Sequence, residues 1–452
     1  MIILKMLGIV SNMRKTKKEG YTEMKVGIII YEIIFLLIFF TGILVLTHFN
    51  EQYFLDIFNT SRNQLPGIYH YIFWCVWSFI ALCWVLSYYK RDWIYTKRKE
   101  VALFLVVSLF CFGLLELGSH FYLCGGDDYR STKLLTYGEC GLKSRYTGHP
   151  YVGYVGTPDF VFMNDSHNSL GFRGPELRND SEYRIVVTGG STVYSTGVES
   201  WHDDFARQLE KNLKELTGKD VEVINSGLGG WTSYEMLSNL EYGLLDLKPN
   251  LIITYGGIND IHTRMVNPET YKCDNTGRRK VWEVSKPKFP FNLALTRALT
   301  NINPTGLGTF VNKDGVDNVF MENITYSSLG GTPQETLEKN IPICYQRNMA
   351  NFIVVSKVNN INLLLMTFAN NNDFKSFDSL PWYQFGLNQH NQIITGLGAY
   401  FQVPVFDFAN VMDKDVSLWK DGVHLSKEGE ALKGKLVADY IVQNDVGGIN
   451  GE

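Results

Sequence analysis

The chain has 452 residues, 45% of them hydrophobic, with 42 Lys and Arg against 46 Asp and Glu for a formal net charge of −4. That length accommodates a membrane segment plus one globular domain, or two smaller domains. The near-neutral balance gives no reason to expect nucleic acid as a partner, and the absence of zinc-like Cys/His spacing, a Walker loop or a Rossmann glycine fingerprint leaves no call for a metal or other cofactor.

Three apolar stretches crowd the first 125 residues, at about 26–46, 69–88 and 101–122. Each reaches the roughly 20 residues of helix that span a bilayer's hydrocarbon core, and none shows the polar stripe of a buried soluble helix. The first is too long and starts too late for a cleaved signal. Lys5, Arg14, Lys15, Lys17, Lys18 and Lys25 precede the first stretch, and Lys90, Arg91, Lys97, Arg98 and Lys99 precede the third. By the positive-inside rule both flanks are cytoplasmic, so three spans export the remainder of the chain, to the periplasm or outer surface in a bacterium. Glu32 and Glu116 fall within spans, roughly 10 Å and 22 Å from the cytoplasmic end. At those depths they do not pair, and a protonated or snorkelling acid is the plain expectation.

Cys75, Cys83 and Cys111 lie in the spans, while Cys124, Cys140, Cys273 and Cys344 lie in the exported part. Four thiols in an oxidising compartment allow three pairings, of which Cys124 with Cys140 and Cys273 with Cys344 is the more local; free thiols remain the alternative. The sequons at Asn164 and Asn323 matter only in a eukaryotic secretory pathway.

Residues 1–125 thus read as a membrane anchor and 126–180 as a connecting region, after which strand and helix patterns alternate through 181–445. Strands are expected at 184–188, 221–225, 251–255, 362–367 and 403–408, and helices at 201–216, 233–247, 335–359, 389–400 and 426–442. Such alternation calls for a parallel sheet with helices on both faces, and ligands of an open sheet bind beyond the carboxyl ends of its strands.

Four short segments fall at those ends: Gly189-Gly190-Ser191-Thr192, Gly229-Gly230-Trp231-Thr232-Ser233, Gly257-Ile258-Asn259-Asp260 and Asp421-Gly422-Val423-His424. Singly each is an ordinary turn sequence, but their joint order resembles the signature blocks of the SGNH hydrolases, or GDSL-type esterases, in a membrane-anchored bacterial form. The resemblance covers roughly 184–442 and reaches weakly back to His149-Pro150-Tyr151 and Gly171-Phe172-Arg173-Gly174. It implies a three-layer α/β/α fold with a flavodoxin-like, five-stranded parallel sheet, here preceded by a bundle of three transmembrane helices. One departure is visible: Gly190 stands where the family usually has Asp, which puts the hydrogen bonding around the nucleophile in question.

The resemblance assigns Ser191 as nucleophile, His424 as base and Asp421 as its orienting carboxylate. A serine hydroxyl needs a base to take its proton, and Asp three residues before His can reach the other ring nitrogen. The amides of Ser191 and Gly230 and the side chain of Asn259 form the expected oxyanion hole, with Gly227 and Gly229 as alternatives to Gly230. Asp260 is expected to serve the turn, and N-capping is the bland alternative for Asp421.

Between the third block and the next helix, 262–333 lacks clear periodicity and leaves from the active-site edge, so it is expected to wall the pocket. From Arg264 to Arg297 it carries eight cations against three acids. Arg278, Arg279, Lys280 and Trp282 are the candidate substrate-binding residues, for an anionic acylated glycan or a phospholipid head group. Together these readings point to a membrane-anchored esterase removing O-acyl, chiefly O-acetyl, groups from an envelope polysaccharide. A lipase, a thioesterase or an O-acyltransferase could use the same residues, and a catalytically silent glycan-binding scaffold could use the same fold.

Overall fold

Hydrophobic residues at successive positions of the central strands face opposite ways, which is the pattern of a sheet buried on both sides. The computed structural model describes residues 82, 86, 89–125, 143–275, 293–302, 331–374 and 381–451. The sheet's strands are β1 (Tyr183–Gly189), β2 (Val221–Gly227), β3 (Leu251–Tyr255), β4 (Asn362–Met366) and β5 (Val405–Phe406), all parallel, in the order β2-β1-β3-β4-β5. This is the expected flavodoxin-like order. Ile185, Val187, Val223, Ile253 and Leu364 pack on one face against helices Phe205–Thr217 and Lys427–Gln443; Val186, Ile224, Ile252, Leu363 and Leu365 pack on the other against Ile343–Val358 and Pro381–Phe401.

Local chemistry sets the helix ends. Asp204 accepts the Arg207 amide at 2.8 Å to start Phe205–Thr217, and Gly218, at φ +70°, ends it. Thr232 and Glu235 form a reciprocal capping box at Ser233–Asn239. The closing helix starts from Ser426.

Several boundaries differ from expectation. The helix foreseen at 335–359 is two, Pro333–Lys339 and Ile343–Val358, because Pro342 lacks the amide an unbroken helix would need. The helix at 233–247 passes into a π turn at Leu240–Leu244 and a 3₁₀ turn at Leu245–Leu247. Pro381–Phe401 is longer than the apolar spacing suggested, and the last strand has only two paired residues. In the connecting region, Tyr146–His149 pairs with Gly153–Gly156 and Val161–Phe162 with Asp165–Ser166, two small antiparallel ribbons.

The chain divides into two compact units: residues 1–135 with 286–315, and 136–285 with 316–452. The second unit holds the sheet. In the first, Arg98–Cys124 is a 27-residue helix long and apolar enough to cross a membrane, with Leu103, Phe104, Leu109 and Phe110 exposed. The proposed first span with Glu32, and all of the proposed second span except Leu82 and Leu86, lie outside the described residues. Glu116 neither snorkels nor stands alone: its carboxylate accepts the amides of Ala294 at 2.6 Å and Leu295 at 2.8 Å, at the start of helix Ala294–Ile302. A piece of the insertion therefore packs on the apolar helix, which corrects the expectation that the insertion as a whole walls the pocket. Cys273 and Cys344 are disulfide-bonded as favoured; Cys124 is also in a disulfide, and Cys140 lies outside the described residues.

Candidate active site

β1 ends at Gly189, and the chain turns at once into a one-turn helix, Ser191–Tyr194. The turn is tight. A Cβ on Gly189 would strike the Tyr255 carbonyl, and one on Gly227 would strike the Tyr194 amide, so both glycines let neighbouring strand ends approach the nucleophile turn. The Gly227 amide donates to Asn225 Oδ1 at 3.0 Å.

Ser191 and His424, 233 positions apart, meet here: Ser191 Oγ lies 2.8 Å from His424 Nε2. Asp421 Oδ2 lies 2.8 Å from His424 Nδ1. A carboxylate opposite Nδ1 places the ring's hydrogen on that nitrogen, leaving Nε2 to accept the Ser191 hydroxyl proton. The other carboxylate oxygen accepts the amides of Val423 at 2.9 Å and His424 at 2.8 Å. Partial burial works against ionisation of Asp421, but the His424 hydrogen bonds and charge outweigh it and hold the carboxyl below the usual carboxylate range. The N-capping alternative is excluded, since Ser426 caps the closing helix.

Asn259 begins just after Gly257, whose φ of +117° turns β3 into helix Ile258–Arg264. Its Nδ2 donates to the Trp231 carbonyl at 2.8 Å, which spends one of two amide hydrogens. The same nitrogen lies 2.6 Å from where a Gly190 Cβ would be. Gly190 thus opens the space that Asn259 occupies beside Ser191, a physical reason for glycine at this position. Gly230 adopts φ +77° in the adjoining turn, while Gly229 abuts the Tyr146 hydroxyl. Asp260 is structural: it accepts from the Ser233 amide at 3.1 Å and Ser233 Oγ at 2.5 Å, at the start of the neighbouring helix.

Two groups of buried residues behind Ser191 were not anticipated. The Arg173 guanidinium bonds the carbonyls of Tyr194, Ser195 (2.9 Å) and Val198 (3.1 Å) and pairs with Asp165 at 2.7 Å. Tyr194 in turn donates to Asp165 at 2.7 Å. Ser195 sits in the left-handed region at φ 62°, and these bonds hold the helix end there. From the other side Lys433 Nζ donates to the Thr192 carbonyl at 2.7 Å and pairs with Glu430 at 3.2 Å, both fully buried. Burial pushes Glu430 up and Lys433 down. Arg173 belongs to the Gly171–Gly174 lead-in that the sequence resemblance touched; Glu430 and Lys433 were visible only as a pair three apart on the last helix.

Of the proposed substrate-binding residues, Arg278, Arg279, Lys280 and Trp282 lie outside the described residues. Two cations counted with them do not face a pocket. Arg264 is buried, donating to the carbonyls of Asn340 (2.7 Å) and Leu337 (2.8 Å), and Arg297 is buried as well. Among the described residues no cluster of His, Cys, Asp and Glu could hold a metal ion.

No family model and no curated protein matches the chain. Among solved structures it is similar to a lipase/acylhydrolase from Enterococcus faecalis, at 18% identity over 58% of this chain and 96% of that one, TM-score 0.32. It is also similar to a GDSL-like lipase from Bacteroides thetaiotaomicron (16% identity, 58% and 89%, TM-score 0.33) and an acetylxylan esterase from Geobacillus stearothermophilus (13%, 60% and 96%, TM-score 0.34). At that level of likeness, what this chain does has to be argued from Ser191, His424 and Asp421 themselves.

Proposed function

We propose that the chain is a membrane-anchored serine esterase that hydrolyses O-acyl, chiefly O-acetyl, esters of an envelope glycan. The observation that carries this reading is the relay of 2.8 Å contacts from Ser191 Oγ through His424 to Asp421. In it Ser191 Oγ attacks the ester carbonyl carbon as His424 Nε2 takes the hydroxyl proton, and Asp421 stabilises the imidazolium. The carbonyl oxygen, now negative, is met by the Ser191 amide, the remaining Asn259 Nδ2 hydrogen and the Gly230 amide, donors in place before the charge appears. Collapse expels the sugar alkoxide, protonated by His424, and leaves an acyl-serine. Water then repeats the sequence with His424 as base and releases the acid. Anchoring is supported by the 27-residue apolar helix, and O-acetyl chemistry by the resemblance in the signature blocks.

A fluorescent serine-directed phosphonate tests the chemistry. Native protein should label, and Ser191→Ala and His424→Ala should not. Folded native protein that never labels would sink the hydrolase reading in favour of a silent binding protein. If labelling holds, release of acetate from acetylated glycan, against transfer of acetyl to added sugar, separates hydrolysis from acyl transfer.

A further inference from the structure

Helix Pro381–Phe401 has two unlike faces. Tyr383, Leu387, His390 and Ile394 are buried, while Gln384, Asn388 and Gln392 recur every fourth residue on the wall of a cleft of about 640 Å³, a size usual for a small-molecule site. Asn370 and Asn372, just past the carboxyl end of β4, form part of the wall across from them. The amides are chained across the cleft. Asn370 Nδ2 donates to Asn372 Oδ1 at 2.6 Å and to Gln384 Oε1 at 2.8 Å, Asn372 Nδ2 to the same Gln384 oxygen at 3.1 Å, and Gln384 Nε2 to Asn388 Oδ1 at 2.7 Å. This chain orients the amides and stops at Asn388. Among the described residues, the Asn388 NH₂ and both ends of the Gln392 amide have no hydrogen-bond partner.

The cleft adjoins the catalytic loop. Asn371, between the two wall asparagines, donates its backbone amide to the Gly422 carbonyl at 2.8 Å, inside the Asp421–His424 segment. The lining chemistry selects a ligand class. Carboxamides present a donor and an acceptor side by side, as vicinal hydroxyls require. The cleft's two charged groups, Lys414 and Asp407, are of opposite sign, and its apolar lining is confined to Phe368 and Ala409, so neither an anionic polymer nor an acyl chain finds its complement here.

We infer that this cleft binds neutral sugar residues of the polymer next to the one bearing the ester. The inference rests on the esterase reading above for its place in the reaction, and it assigns the unsubstituted part of the substrate to this cleft. A network oriented before binding loses little freedom when hydroxyls dock, which is what lets a polar cleft hold a sugar in water.

The test uses full-length protein in detergent. Ser191→Ala is titrated calorimetrically with xylohexaose, cellohexaose and mannohexaose up to about 5 mM, with and without Asn388→Ala/Gln392→Ala. Both side chains are exposed, so the double variant keeps its fold, which its thermal midpoint verifies. Saturable binding of one hexasaccharide, weakened about tenfold or more in the double variant, is expected from the lost hydrogen bonds. In the catalytically competent protein the same pair should raise KM for an acetylated polymer of that sugar relative to KM for p-nitrophenyl acetate. Ester hydrolysis without hexasaccharide binding, or binding indifferent to the two substitutions, overturns the inference and leaves the esterase reading standing. Binding that depends on Asn388 and Gln392 in a protein that neither labels nor hydrolyses p-nitrophenyl acetate upholds the cleft as a sugar site and removes the esterase reading.

Discussion

Gly190 and Asn259 act as one unit at the scale of the single residue. A methyl at Gly190 would occupy the space of Asn259 Nδ2, which the Trp231 carbonyl holds in place. Asn259→Ala should lower kcat by about 10² to 10³, the usual cost of an oxyanion donor. Gly190→Ala should cost a comparable factor by displacing the same amide, and the double variant should be little worse than either single one, as residues sharing one function are not additive. Steady-state rates on a small ester check this. Multiplying losses in the double variant would mean that Gly190 acts without Asn259.

At the scale of the element, the one-turn helix that begins at Ser191 is too short to be stable by itself and is held from outside. Arg173 ties its last carbonyls to Asp165, with side-chain exposures of 1% for Arg173 and 5% for Asp165. Removing Arg173 leaves the buried Asp165 carboxylate to Arg145, 3.5 Å away, and the Tyr194 hydroxyl, and orphans the carbonyls of Tyr194, Ser195 and Val198. Arg173→Ala should therefore destabilise the sheet-bearing unit by about 3 to 5 kcal/mol, read from urea unfolding followed by tryptophan fluorescence. A loss under about 1 kcal/mol would show that the pair is not the brace described. The same element-level logic explains the split helix at Pro342 and the short last strand, where local sequence overrode the simple period.

Over the whole molecule, stability is coupled to pH through the buried His390. Its Nδ1–H donates to the Gly257 carbonyl at 2.9 Å, and Arg264 donates to Nε2 at 3.1 Å, so the ring is held neutral. Burial, then the Arg264 charge, pushes its pKa from 6.5 down to about 3. An unfolded chain takes up this proton as pH falls below about 6.5 and the folded chain refuses it, so stability drops with falling pH. The expected slope from this residue is about 1.4 kcal/mol per pH unit between pH 6 and 4. His390→Gln should flatten the acid side of the stability profile by that amount, and an unchanged slope would remove His390 as its source.

The order of strands and helices, the parallel sheet and the four loop segments were legible along the chain, because alternating apolar runs and turn glycines are written locally. So were the candidate grouping of Ser191, Asp421 and His424, which the fold brings within hydrogen-bonding distance, and the Cys273–Cys344 bridge, which was the more local choice. Arg264 illustrates the opposite case: counted among the insertion's cations, it is buried between helices because Asn340, Leu337 and Gln389 offer it oxygen atoms from distant positions. The brace at Arg173, the Glu430–Lys433 pair, the seat of Glu116 and the amide cleft share that property. Each depends on which groups a fold brings within hydrogen-bonding distance, and burial makes a partner obligatory only after the chain has closed on itself. Sequence alone therefore determined the α/β class of the sheet-bearing unit and named the candidate reacting groups, and the tertiary structure decided what holds those groups in place and what surface lies beside them.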